Sequence, residues 1–172
     1  EFHSYSSIAN LNFARDTKDK NAVEENLYYD NIGPEYSAID NKFTKTINNS
    51  KFKKELIDKF GSHFNDLIEM ELKSFDEKIV DILKIENTIK NSYRTLLANA
   101  KIEFDGKILN LTGLTPYMQS TKREERKSSY KKLDEFFKNN SQELDIIFDR
   151  LVQLRDQKAK ILGFQNYVEL GY

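Results

Sequence analysis

The sequence predicts a mostly α fold, a bundle of amphipathic helices carrying one β-hairpin near residues 101–111. Three observations predict it. Apolar residues recur at three- and four-residue steps along most of the chain, the period of a helix with one buried face. Only two prolines and six glycines interrupt 172 residues, which favours long helices. A single Asp-Gly pair, Asp105-Gly106, sits between short alternating runs, the strongest local cue for a hairpin.

Taken in order, Phe2, Tyr5, Ile8, Ala9 and Phe13 fall on one helical face from the first residues, with no capping residue ahead of them. The natural N-terminus is therefore expected upstream. The polar stretch Asp16-Thr17-Lys18-Asp19 is able to cap a helix from about Asn21, with Val23 and Leu27 on its inner side. Gly33-Pro34 is expected to interrupt it, either by a kink or by a new helix with Pro34 at its first position. Tyr36, Ile39, Phe43 and Ile47 then continue an apolar stripe.

Ser50 is placed to cap a short helix of Phe52, Leu56, Ile57 and Phe60, closed by Gly61. Ser62 is expected to cap a second, with Phe64, Leu67, Ile68 and Leu72, and Ser74 a long one through Ile79, Ile82, Ile89, Tyr93 and Leu97. After the hairpin, Thr112–Ser120 reads as a short helix or turn. Thr121-Lys122-Arg123-Glu124 has capping-box spacing. The helix it opens carries Tyr130, Leu133, Phe136 and Phe137. Asn139-Asn140-Ser141 marks a break before a long helix with Leu144, Ile147, Phe148, Leu151, Leu154, Ile161 and Leu162. Gly163 stands where a left-handed C-cap is wanted. The closing stretch to Tyr172 starts a further element that is expected to continue beyond it.

Composition excludes several classes. Apolar content of 38% with 32% charged residues is ordinary for a soluble helical protein, and no apolar run is long enough to span a membrane. Residues 1–7 do not resemble a signal peptide, and without cysteine there is no disulfide framework, which fits a cytoplasmic location. A net charge of −1 argues against a nucleic-acid surface. Lys51, Lys53 and Lys54 are followed by Glu55 and Asp58, so they read as a solvated helix face.

No catalytic set emerges from the residues. His3 and His63 are the only histidines, sixty positions apart, and neither is followed by glutamate. There is no thiol and no Gly-rich phosphate loop. What stands out is charge inside apolar stripes. At 100° per residue, Arg155 and Lys158 fall within the stripe of the last long helix, Glu86 and Lys90 within that of the 76–99 helix, and Glu71 within that of the helix before. An unpaired buried charge costs several kcal/mol, so these groups must pair, snorkel to water or face a cleft. Expected pairings are Arg155 as a two-armed partner of Glu86 or Glu71, or Glu86 with Lys90 along one helix. The alternative is a face bordering a channel or a missing domain.

A set of segments carries a resemblance. Ile102-Glu103-Phe104-Asp105-Gly106-Lys107 through Leu114-Thr115-Pro116-Tyr117-Met118, then Arg123-Glu124-Glu125-Arg126-Lys127, resembles the N-terminal half of oligoendopeptidase F. So do Asp149-Arg150-Leu151-Val152-Gln153-Leu154-Arg155 and Lys160-Ile161-Leu162-Gly163-Phe164-Gln165-Asn166-Tyr167-Val168-Glu169-Leu170-Gly171-Tyr172. A looser likeness runs from Phe2 through Asp16-Thr17 to Ile32-Gly33-Pro34-Glu35-Tyr36. The resemblance implies a zinc metallopeptidase of the thimet oligopeptidase clan, cytoplasmic, acting on short peptides within a deep channel. In that family the zinc is held by His-Glu-x-x-His and a further glutamate, and the motif's own glutamate activates the metal-bound water. This chain has no His-Glu-x-x-His, and in the family that motif lies well downstream of the Leu-Gly-Tyr equivalent. No catalytic or metal residue carries over.

The implied reading is one helical domain over 1–172, a fragment of the non-catalytic N-terminal half that forms one wall of the substrate channel. Its partners would be the catalytic domain of the same chain and short peptides. Alone it is expected to be inactive, to bind no zinc, and to self-associate through apolar surface. The rival is a free-standing helical interaction module docking a partner helix.

Overall fold

The computed structural model describes residues 1–171; Tyr172, the last residue of the closing motif, lies outside them. Among the described residues the chain forms helices α1 (Phe2–Arg15), α2 (Lys20–Asn48), α3 (Lys53–Phe60), α4 (Ser62–Ser74) and α5 (Val80–Ala98), the last entered through a 3-10 turn at Glu77–Ile79. Strands β1 (Ile102–Phe104) and β2 (Lys107–Leu109) follow, then α6 (Leu111–Met118), α7 (Arg123–Asn139), α8 (Ser141–Ile161) and α9 (Tyr167–Gly171). The expected helical bundle with one hairpin is what forms. β1 and β2 pair antiparallel with Phe104 opposite Lys107, and Asp105 and Gly106 both adopt positive φ in the turn.

α2 is the spine. α1 folds back on it, with the Phe2 ring stacked on Tyr36 at 4.1 Å. α5 runs antiparallel to α2, since Asp30 meets Asn91, Glu35 meets Lys84, and Lys42 meets Glu77 further back. α8 packs on the other side of α5, and the hairpin and α6 close against α7 around buried Ile102 and Leu114.

Of the two expectations at Pro34, the new helix does not form: the proline lies buried inside one continuous 29-residue helix. Proline removes an amide, so the carbonyl of Asp30, four residues back, loses its helical donor. Asn87 on α5 supplies one, donating from Nδ2 to that oxygen at 3.1 Å. The Asp30 carboxylate in turn accepts from Asn26 at 2.7 Å and Asn91 at 2.6 Å. A tertiary donor thus replaces the missing backbone one, and the helix runs through.

The inner face of α2 also differs. Ala22 and Asn26 are buried where Val23 and Leu27 were expected, and Asn41 and Thr44 where Ile39 and Phe43 were. Ile39 is 64% and Phe43 65% exposed. Tyr5 and Ile8 of α1 and Tyr130 of α7 are likewise exposed. The period is helical as read, but the more polar side of the stripe meets the bundle and the more apolar side meets solvent.

Several caps shift by one or two residues. Asp19 caps α2 as expected, accepting from the amides of Asn21 and Ala22. Gly61, with φ +89°, both ends α3 and precedes α4, whose first residue is Ser62. Asp76, not Ser74, caps the turn into α5; the Ser74 hydroxyl instead donates to the Glu71 carbonyl. Thr121 caps nothing by its side chain. α7 starts from Lys122, and Arg126 ties the preceding loop by donating to the carbonyls of Ser120 and Thr121. At the end of α8, Gly163 takes φ +89° and Phe164 donates its amide back to Ala159, the expected left-handed closure.

Candidate functional site

The charges that stood inside apolar stripes meet between α5 and α8. Glu86 lies one turn ahead of Lys90 on α5, and Arg155 and Lys158 lie three residues apart on α8, so each helix turns both of its charges to the same side. Glu86 is 2% exposed. Its Oε1 accepts from Arg155 Nε at 3.1 Å and lies 3.1 Å from Lys90 Nζ; its Oε2 accepts from Lys158 Nζ at 3.0 Å. The Arg155 contact is a single bond through Nε, not the two-armed pair expected. Glu71 takes no part. It is exposed on α4, and its carboxylate accepts from the Thr44 hydroxyl at 2.9 Å.

Burial pushes the Glu86 carboxyl up, but the bonds and charge of Lys158, then Lys90 and Arg155, outweigh it and hold the group at about 2. It is therefore ionised at neutral pH, an anion clamped by three cations. The Tyr167 ring of α9 lies beneath two of them, 5.4 Å from Arg155 Cζ and 5.3 Å from Lys158 Nζ, in cation–π range. Tyr167 belongs to the closing motif, but nothing in the local pattern marks it as part of a charge cluster.

A second polar centre was not anticipated from the sequence. Asn26, Asp30, Asn87 and Asn91 bridge α2 and α5, and Asn10 of α1 donates to Asn26 at 3.4 Å. The available signal was Asn87 and Asn91 at helical spacing opposite a proline-bearing helix. Asn26 and Asn91 border a groove of about 690 Å³ between α1, α2, α5 and the α7–α8 junction, whose apolar lining includes Phe13, Leu96 and Phe136.

The histidines stay apart from both centres. His3 packs edge-on to Tyr36, and His63 is exposed in the first turn of α4. Among the described residues no three His, Cys, Asp or Glu side chains converge as a metal would require. No helix among the described residues is long and apolar enough to cross a membrane.

Residues 1–75 match the Peptidase M3 N-terminal domain family. An oligoendopeptidase F structure from Bacillus anthracis strain Ames superposes with a TM-score of 0.91 and 36% identity, over 96% of this chain and 30% of that one. PZ peptidase A, solved with an inhibitor, gives 0.92 and 34% over the same shares. A further oligoendopeptidase F structure gives 0.90 and 36%, over 98% of this chain and 30% of that one. Among curated proteins none matches. Residues 1–75 thus match the N-terminal domain of the M3 peptidases, and nearly the whole chain resembles the N-terminal part of oligoendopeptidase F. It spans about a third of the length of these solved relatives.

Proposed function

We propose that residues 1–172 form the non-catalytic N-terminal part of an oligoendopeptidase F-like zinc peptidase, and that these helices make one wall of a channel admitting short, flexible peptides. The observation carrying this reading is the likeness to oligoendopeptidase F along nearly the whole chain against only 30% of the relatives' length. The exposed Ile39 and Phe43, one turn apart on α2, support it, because large apolar side chains neighbouring each other on a surface call for a covering partner. The catalytic domain of the same polypeptide would be that partner, and the enzyme would act in the cytoplasm.

On this reading the zinc and its chemistry belong to the absent part. The residues in hand contribute rigidity. Glu86 with its three cations pins α5 to α8, and the Asp30 network pins α5 to α2, so the three long helices hold a fixed spacing. The test is hydrolysis of short peptides by the purified chain with equimolar zinc. No turnover is expected, and chelator-sensitive turnover would overturn the proposal.

A further inference from the structure

Glu86 leaves its cluster unbalanced: three cations face one carboxylate, an excess of two positive charges. Among the described residues no second carboxylate pairs with Lys90, Arg155 or Lys158. Two nearby in sequence are engaged elsewhere, Asp156 with Lys160 at 2.6 Å and Glu169 of α9 with the Gln165 amide at 3.0 Å. The Lys158 side chain is only 12% exposed, but those of Arg155 and Lys90 are 34% and 44% exposed, so the excess is presented to the surface. Both hold the same Glu86 oxygen at 3.1 Å, which keeps their nitrogens within twice that distance of each other.

Arg155 meets Glu86 through Nε alone. A guanidinium is planar, so with Nε aimed at Glu86 its Nη edge, the fork that matches a carboxylate, turns away from that residue. Among the described residues neither Nη group has a hydrogen-bond partner. Glu86 and the Tyr167 ring, 5.4 Å from Cζ, hold the guanidinium in place, so the fork loses little freedom when it closes on an anion.

Tyr167 also brings a particular stretch of polypeptide to the cluster. It opens α9, which packs on α8 and is the last element of the described residues. From Tyr167 to Gly171 the helix rises only about 6 Å. The main chain therefore leaves the described residues beside the unbalanced charge. On the function proposed above, the catalytic domain follows from there.

We propose that Arg155 and Lys90 receive an Asp or Glu side chain from the polypeptide that follows α9, and that this ion pair fastens the helical wall to the catalytic domain. The carboxylate sits on the Nη fork of Arg155 with the Lys90 ammonium at its flank, and it removes one of the two uncompensated charges. This rests on the channel-wall reading and names the contact by which the wall is held.

The experiment is carbodiimide cross-linking of the full-length polypeptide, which joins an amine to a carboxylate with no spacer, followed by mass spectrometry. A cross-link from Lys90 to one Asp or Glu beyond residue 172 is expected, with a yield that falls as salt is raised. Arg155→Gln removes the fork and should lower that yield about tenfold, with helical circular dichroism unchanged. The wild-type cross-link is a test without the variant. In a full-length polypeptide that hydrolyses short peptides with zinc, no such cross-link, or one that Arg155→Gln leaves undiminished, overturns this proposal alone. A full-length polypeptide without zinc-dependent hydrolysis overturns the channel-wall reading and this proposal with it.

Discussion

Replacing Glu86 by glutamine keeps the shape of the side chain and one hydrogen-bonding oxygen, but deletes the charge that Arg155, Lys90 and Lys158 share. A carboxyl held at about 2 against an ordinary 4.5 is worth about 3 kcal/mol of folding stability at neutral pH, at roughly 1.4 kcal/mol per unit. The loss in the variant should be of that size, because Lys158, with a side chain only 12% exposed, is then left without its anion. Urea unfolding followed by helical circular dichroism at pH 7 reads it as a midpoint lowered by about 1–2 M with the slope unchanged. The pH dependence fixes the cause. The folded pKa lies below the unfolded one, so the stabilisation is complete above about 4.5 and is lost as pH falls towards 2. The gap between wild type and variant should accordingly fall to about half by pH 3. A gap under about 1 kcal/mol at pH 7, or one that does not shrink on acidification, would refute the assignment of Glu86 as a net stabilising anion.

Asn87→Ala should cost about 1–2 kcal/mol by stranding the Asp30 carbonyl, and less in a Pro34→Ala background, where the helix supplies its own donor; a urea-monitored double-mutant cycle with no coupling would contradict this. The chain should self-associate with rising concentration in gel filtration, and Ile39→Asp with Phe43→Asp should reduce this while changing stability by only about 0.5 kcal/mol, since both side chains are mostly exposed.

The elements were legible in the sequence because each is a local matter: Asp105-Gly106 needs only its own turn, Asp19 only the two amides ahead of it, Gly163 only a left-handed backbone. Whether α2 would continue through Pro34 or start anew was left open by the sequence, because the proline is rescued by Asn87, 53 residues along the chain and on another helix. The facing of α2 failed for a related reason. Hydrophobic period locates a stripe but not which flank of it meets this bundle, and here Asn41 and Thr44 turn inward while Ile39 and Phe43 turn out. Neither atom of the buried Asn41 amide finds a partner among the described residues, so that choice carries a cost which apolar patterning could not foresee.

Of the candidate site, helical projection brought out Glu86, Lys90, Arg155 and Lys158, because charge within an apolar stripe is visible in one dimension. Their convergence on a single carboxylate depends on α5 and α8 running antiparallel at one register, which is a tertiary fact. Glu71 shows the limit of projection: it lies in its stripe by angle yet is exposed, because α4 buries only Ile68.

Reconstitution decides whether these helices are the wall and not the reacting part of an oligopeptidase. The chain is mixed with the remainder of an oligoendopeptidase F relative expressed without its own matching N-terminal third, and peptide hydrolysis and co-elution are measured. If these helices are the wall, the two pieces co-elute, turnover exceeds that of the remainder alone, and a chelator abolishes it. Separate elution with unchanged turnover would contradict that role.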